Sequence, residues 1–137
     1  MRLLCDANIV LDVFLRRDPF YSASSQVLNM CESGDIEGYI PVSTITDIYY
    51  IIRRATSSKD RAFMAVESIA RILQPCSVTD EDLTVALAAH GTDFEDNIIE
   101  ACAVRNGFDY ILTRNEKHFG ELGIPTIAPE AVLEKFI

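Results

Sequence analysis

The sequence has no stretch of about 18 consecutive apolar residues, which is the length that a membrane-spanning helix needs. We therefore expect no membrane span. An acid, Asp6, comes before the apolar core of a secretion signal could form, so we expect a cytoplasmic protein. No Cys-x-x-Cys pair occurs, and the four cysteines are widely spaced in apolar or small-residue surroundings. This arrangement favours buried reduced thiols over metal ligands or disulfides.

Basic residues are scarce. The chain has 12 Lys and Arg against 21 Asp and Glu, which gives a formal net charge of -9. A surface that holds nucleic acid by charge alone is excluded as the default, because phosphate neutralisation needs a local excess of Lys and Arg. What stays open is a local basic rim, or metal ions that reverse the sign of an acidic pocket.

Several nucleotide-binding and hydrolase motifs are absent as well. The six glycines are scattered and form neither G-x-G-x-x-G nor a Walker pattern, and there is no G-x-S-x-G elbow. Internal repeats and low-complexity tracts are also missing. With 137 residues, 49% of them hydrophobic, the chain has the size and composition of one globular domain spanning residues 1–137.

Short β-type runs alternate with longer runs of helical period. This pattern predicts an α/β fold: a three-layer α/β/α sandwich with a central, mostly parallel sheet of four to five strands. Strands are predicted at 2–5, 39–42, 76–78, 110–113 and, more weakly, 126–128. Helices are predicted at 8–15 and 20–32, after a cap at Ser43 or Thr44, after Ser57 or Ser58, after Thr79, from Thr92 or Asp93 to Arg105, and from Pro129.

Acidic and amide side chains follow the predicted strands. In an open parallel sheet, ligands bind outside the carboxyl ends of the strands, so these side chains are the first candidates for a site. They are Asp6 and Asn8 after the first strand, Asp47 after the second, Asn115 after the fourth, and Asp93 with Asp96 on one face at the start of a helix. Grouped carboxylates need protons, Arg or Lys partners, or a hard divalent cation such as Mg²⁺ or Mn²⁺.

Three further side chains are considered beside these acids. Asp12 lies one turn beyond Asn8 and either supports the site or lies on the surface. His90 precedes a glycine and is expected to end a helix. His118 could line the rim of a pocket, although a surface position without a ligand role is favoured.

Four blocks of sequence match a known pattern in order and spacing. They are Leu4-Cys-Asp6-Ala-Asn8-Ile-Val-Leu-Asp12, Ser43-Thr-Ile-Thr-Asp47, Asp93-Phe-Glu-Asp96-Asn-Ile-Ile-Glu, and Asp109-Tyr-Ile-Leu-Thr113-Arg114-Asn115. Together they resemble the PIN-domain ribonucleases, including the VapC-like toxins of prokaryotic toxin-antitoxin pairs. The resemblance covers almost the whole chain.

The resemblance implies a metal-dependent nuclease site in which Asp6, Asp47, Asp96 and Asn115 converge, with Asp93 nearby. Asp6 and Asp96 would hold Mg²⁺ or Mn²⁺, Asp47 and Asp93 would orient a water or help to bind a second ion, and the substrate would be RNA. A cognate antitoxin is the partner that it implies. Candidates for a basic rim are Arg16, Arg17, Arg53, Arg54, Lys59, Arg61, Arg114 and Lys117.

The chain departs from the family pattern at three positions. Asp47 stands where the family usually has Glu, Asn115 where it often has Asp, and His118 where it often has an acid. Asp47 is one methylene shorter than Glu, which weakens a direct metal contact, and the other two changes lower the negative charge available to a second metal. The alternative is therefore a catalytically degenerate PIN-like module that binds RNA or protein. A response-regulator domain is disfavoured, since Asp6 is followed by Ala7 rather than by a second acid.

The run Tyr49-Tyr50-Ile51-Ile52 places apolar side chains on more helix faces than one sheet contact covers. We therefore expect a homodimer through this region.

Overall fold

Five parallel strands form the central sheet of the computed structural model, which describes residues 1–136. The strands are β1 (Arg2–Cys5), β2 (Glu37–Pro41), β3 (Gln74–Cys76), β4 (Tyr110–Leu112) and β5 (Thr126–Ile127), and their order across the sheet is β3-β2-β1-β4-β5. All four neighbouring pairs are parallel. The predicted parallel sheet is therefore confirmed, with five strands.

Within residues 1–136, seven α-helices and one short 3₁₀ helix connect and cover the strands. They are α1 (Ala7–Phe14), α2 (Tyr21–Ser33), α3 (Val42–Thr56), α4 (Lys59–Ile72), α5 (Asp80–Ala89), α6 (Phe94–Arg105) and α7 (Pro129–Lys135), with the 3₁₀ helix at Glu116–His118. No helix within residues 1–136 is long and apolar enough to cross a membrane.

Two hydrophobic cores lie on opposite faces of the sheet. Because successive side chains of a strand point to opposite faces, Leu3 and Cys5 pack into one core and Leu4 packs into the other. The first core is completed by α1, α2, α3, α4 and α7, and the second mainly by α6. This arrangement confirms the α/β/α sandwich. All four cysteines are buried free thiols, as expected.

The helix starts show where local sequence rules hold. Ser58 Oγ accepts a hydrogen bond from the backbone N–H of Arg61, and Thr79 forms a reciprocal capping box with Asp82. The cap predicted at Ser43 or Thr44 is wrong, because α3 begins directly after β2 with Pro41 as an N-cap that offers no side-chain acceptor. His90 ends α5 in a left-handed conformation, as predicted.

The third strand lies two residues earlier than predicted. Its position is set by pairing with β2, in which Tyr39 opposes Gln74 and Pro41 opposes Cys76. Local sequence patterns do not predict this register, because the pairing joins segments more than 30 residues apart.

The order of the strands reverses between β1 and β4. The chain builds outward from β1 to β2 and β3, and then returns to place β4 and β5 on the other side. Cys5 is in register with Leu112, so the residues that follow β1 and β4 emerge side by side. This reversal point is where open parallel sheets bind ligands.

Candidate active site

Asp6 lies at the reversal point, directly after β1. It is the N-cap of α1, and its Oδ1 accepts a hydrogen bond of 2.8 Å from the backbone N–H of Ala7. The side chain is almost wholly buried. Burial raises the pKa of Asp6, although hydrogen bonds from Thr113 and Ala7 oppose the change. Asp6 is therefore a carboxylate held in one orientation in a poorly solvated place.

Thr113 fixes the second oxygen of Asp6. Its buried hydroxyl donates to Asp6 Oδ2 at 2.8 Å and accepts from the backbone N–H of Asn115 at 3.0 Å. The contact bridges 107 positions of sequence and joins the ends of β1 and β4. Asn115 itself is exposed at the start of the 3₁₀ helix. Thr113 thus links Asp6 to the loop that follows β4.

Asp96, on α6, lies close to the carboxyl ends of β1 and β4, which form the edge of the sheet where Asp6 lies. Burial, and then repulsion by Asp93 and Asp6, raises the pKa of Asp96 to about 6. His118 Nδ1 lies 3.3 Å from Asp96 Oδ2, and a positive charge on His118 would favour the ionised carboxylate. The imidazole expected at the surface is exposed, and it also contacts a site carboxylate.

Asp93 was predicted to share one face of a helix with Asp96, but it lies just before that helix begins. It is the N-cap of α6, outside the helix proper, and its Oδ1 accepts a hydrogen bond of 3.1 Å from the backbone N–H of Asp96. Such a contact fixes the first turn of the helix. Asp93 therefore positions Asp96 and adds negative charge beside it.

Glu95 also lies near these acids, although it is not among the residues predicted from the sequence. Partial burial of its carboxyl group, followed by repulsion from Asp47 and a hydrogen bond with it, raises the pKa of Glu95 to about 7. Asp47, exposed on α3, therefore meets Glu95 of α6. The available signal was a further acid in the first turn of α6, inside the block that carried the resemblance.

Asp6 and Asp96 offer hard oxygen donors, which suit Mg²⁺ or Mn²⁺. Two side-chain oxygens, Asn8 Oδ1 and Asn97 Oδ1, are buried without a hydrogen-bond partner in residues 1–136, and each follows one of these acids within two positions of the sequence. In the same range, no three His, Cys, Asp or Glu side chains lie close enough to hold one ion. Mg²⁺ commonly takes one or two carboxylates and completes its sphere with water and phosphate. The side chains fit a cation held by two carboxylates and not a closed cage.

Asp12 lies beneath the edge and is completely buried. Its carboxylate pairs with Arg114 through two hydrogen bonds, Nε to Oδ2 at 2.7 Å and Nη2 to Oδ1 at 2.8 Å. Of the two roles left open for Asp12, a surface position is thus excluded. Its contact is with a basic residue of the predicted rim, and the ion pair holds the loop after β4 against α1.

Glu100 is a second buried acid near the site, and it has no cationic partner in the described residues. Its two oxygens accept hydrogen bonds from the backbone N–H groups of Gly120, Glu121 and Leu122, the shortest at 2.9 Å. Several backbone donors satisfy an ionised carboxylate well. Glu100 therefore holds the loop after the 3₁₀ helix against α6.

Comparison with known protein families identifies the kind of domain that contains these acids. The PIN domain family matches residues 2–117. The chain belongs to the PIN domain family. The resemblance seen in the sequence is thereby confirmed, and α7 of this PIN domain lies beyond the matched range. A search among curated proteins gives no match.

Solved structures share the fold of this PIN domain. DNA-bound VapBC from Salmonella typhimurium has a TM-score of 0.75 at 15% identity, covering 94% of this chain and 98% of that one. A toxin-antitoxin complex from Klebsiella pneumoniae has a TM-score of 0.67 at 22% identity, covering 93% and 97%. VapC20 from Mycobacterium tuberculosis, described as a sarcin-ricin loop cleaving toxin, has a TM-score of 0.63 at 12% identity. The match covers 80% of this chain and 86% of VapC20.

Proposed function

We propose that this PIN domain is a metal-dependent endoribonuclease that hydrolyses RNA phosphodiester bonds. The observation that carries the proposal is the meeting of Asp6 and Asp96 at the reversal point of the sheet, where burial raises the pKa of both carboxyl groups and repulsion by Asp93 and Asp6 raises that of Asp96 further. Folding brings these charges together at a cost, which a divalent cation would offset. The description of VapC20 as a sarcin-ricin loop cleaving toxin supports this reaction class.

Asp6 and Asp96 are the residues that would hold Mg²⁺ or Mn²⁺ directly. Asp47, Asp93 and Asn115, together with Glu95, would act through water or help to hold a second ion. A bound cation would lower the pKa of a water and offset negative charge on the phosphate. Thr113 keeps Asp6 in one orientation, and Asp93 keeps Asp96 at the start of α6. Asp6, Asp47 and Asp96 are the proposed catalytic residues.

Cleavage of single-stranded RNA with and without EDTA tests the proposal. We expect wild-type protein to cleave in Mg²⁺ or Mn²⁺ and Asp6→Asn to lose cleavage. RNA binding should survive or tighten in that variant, because a negative charge near the phosphate is removed. Asp60→Asn is the matched control, since Asp60 is an exposed acid in the first turn of α4, away from the site. Absence of any metal-dependent cleavage by the wild type would reject the proposal.

The second candidate function is a PIN module that binds RNA or protein without cutting. Two observations favour it: Asn115 is neutral, and the described residues contain no group of three potential ligands around one point. Asn115→Asp separates the two functions. If the protein is a nuclease and position 115 faces the metal, the variant should bind Mn²⁺ more strongly and cleave RNA at least as fast as the wild type. If the protein is a binding module that does not cut, the variant should show no cleavage either.

The proposed biological role is that of a toxin restrained by an antitoxin in the cytoplasm. The complexes from Klebsiella pneumoniae and Salmonella typhimurium, described as toxin-antitoxin and VapBC, support such a partner. The homodimer predicted through residues 49–52 belongs to the same proposal. Tyr50 and Ile51 are exposed there, and Tyr50 lines a shallow pocket together with exposed Phe63 of α4. A protein that stays monomeric by light scattering at high micromolar concentration would contradict the homodimer.

A further inference from the structure

A cavity of about 300 Å³ opens beside the proposed catalytic acids. It is lined by five consecutive residues that follow β4: Arg114, Asn115, Glu116, Lys117 and His118. Because His118 Nδ1 lies 3.3 Å from Asp96 Oδ2, the cavity adjoins the carboxylates proposed to act on the scissile phosphate. Arg114 and Lys117 bring positive charge to this place in a protein whose net charge is -9.

Arg114 is held in a fixed position at the wall of this cavity. Asp12 binds its Nε and Nη2 atoms, and Ser24 Oγ donates a further hydrogen bond of 3.3 Å to Asp12. The ring of Phe20 lies 3.8 Å from the guanidinium carbon. A guanidinium held from below and stacked on a ring loses little freedom when it binds a ligand.

The guanidinium of Arg114 also keeps donors free. An arginine has five N–H groups, and Arg114 uses two of them within residues 1–136. Arg105 makes the same paired contact with buried Asp82, but it donates a third hydrogen bond of 2.7 Å to the carbonyl oxygen of Ser77. Arg105 thus joins parts of the protein, whereas Arg114 borders an open cavity with three N–H groups available.

We propose that this cavity is a phosphate subsite for the RNA nucleotide next to the scissile bond, with Arg114 and Lys117 as its binding residues. The inference rests on the proposed ribonuclease function. A planar guanidinium matches phosphate oxygens through paired hydrogen bonds, and the Lys117 ammonium adds a mobile point charge. Two of the five lining residues carry full positive charges and none is Phe, Tyr or Trp, so we assign the phosphate as the part of the nucleotide that this cavity recognises.

Binding of a short, labelled, single-stranded RNA in EDTA tests the subsite separately from cleavage. Arg114→Lys keeps the charge opposite Asp12 but loses the paired donors. We expect its dissociation constant to rise by about tenfold, with an unchanged salt dependence because the charge is kept. Arg105→Lys is the matched control from the second bidentate pair, and its dissociation constant should stay within about twofold of the wild-type value.

Lys117→Gln provides an independent reading, because this exposed side chain supports no buried contact and the variant should fold normally. We expect weaker RNA binding and a salt dependence reduced by about 0.7 in the logarithmic slope, the value for one phosphate contact on a single strand. Glu116→Gln, in the same loop, should bind RNA as well as the wild type or more tightly.

Wild-type affinity in both Arg114→Lys and Lys117→Gln would overturn the subsite and leave the ribonuclease proposal intact. If Arg114→Lys does not fold, the Lys117 variant decides alone. If the wild type binds RNA through these residues but never cleaves it in Mg²⁺ or Mn²⁺, the ribonuclease proposal fails and the phosphate subsite remains.

Discussion

Two groups of buried carboxylates in this PIN domain differ in the partners that surround them. Asp12, Asp82 and Glu100, the paired acids, each have two oxygens bound by an arginine fork or by backbone N–H groups. Asp6 and Asp96, the edge acids, have no Lys or Arg within salt-bridge distance in residues 1–136. Burial opposes ionisation of Asp82, but hydrogen bonds from Arg105 and Thr79 lower its pKa overall, whereas the pKa of Asp96 is raised to about 6.

The difference separates acids that stabilise the fold from the acids proposed to hold a cation. An ionised carboxylate with all its acceptors satisfied stabilises the fold around it, and removal of its charge leaves donors without partners. A carboxylate that faces another carboxylate destabilises the fold until a proton or a cation arrives. The edge acids lie at the reversal point of the sheet, so their repulsion is located where a ligand would bind.

The largest expected effect is on the paired acids that hold an arginine. Asp82→Asn removes the charge opposite Arg105 and should lower the free energy of unfolding by about 3 kcal/mol, the lower end for breaking a buried ion pair because Arg105 is partly exposed. Urea denaturation measures the loss. Asp96→Asn is the comparison from the edge, and an equal loss in both variants would remove the distinction between the two groups.

Glu100→Gln should have the next largest effect. The amide replaces one acceptor oxygen with an NH₂ group that faces backbone N–H donors of residues 120–122. We expect a loss of about 2 kcal/mol in the free energy of unfolding, the cost of leaving buried donors unsatisfied. The same denaturation experiment on Glu95→Gln should show no loss, because that side chain faces Asp47 instead of donors. A neutral Glu100→Gln would mean that the loop does not depend on this carboxylate.

Asp96→Asn should stabilise the metal-free protein slightly or leave its stability unchanged, since repulsion by Asp6 and Asp93 disappears. Millimolar Mg²⁺ or Mn²⁺ should raise the melting temperature of the wild type, because a ligand that binds only the native state stabilises it. The variant should lose this response. Strong destabilisation by Asp96→Asn would instead identify Asp96 as a structural residue, and calorimetry with and without the metal separates these outcomes.

The smallest effect concerns pH. The pKa of Asp96 rises from the ordinary 3.8 to about 6 in the folded protein, so its contribution to stability is present below pH 3.8 and is lost as the pH rises through 6. Without metal, the melting temperature of the wild type should therefore fall relative to that of Asp96→Asn over this range. Asp82, with a lowered pKa, has the opposite sign and loses its contribution as the pH falls. If the difference between the melting temperatures of the wild type and Asp96→Asn is the same at every pH from 3.8 to 6, Asp96 does not titrate in this range.

Much of the architecture follows from the sequence because its determinants act over a few residues. Ser58 and Thr79 cap helices through side chains that reach only three positions along the chain. Alternating apolar runs place Leu3 and Leu4 on opposite faces of a strand. The placement of Asp6 and Asn115 after strands follows from the same local patterns, since a parallel sheet brings those strand ends to one edge.

The sequence by itself determined the kind of domain, the identity of most acids at its edge and their position after strands or at a helix start. The tertiary structure alone decided which carboxylates are paired and which repel, since Asp12 meets Arg114 across 102 positions and Asp47 meets Glu95 from another helix. The physical reason is that ionisation depends on burial and on charges a few ångströms away in space. Distances between residues so far apart in the chain are set by packing of the whole sheet, and no local pattern carries them.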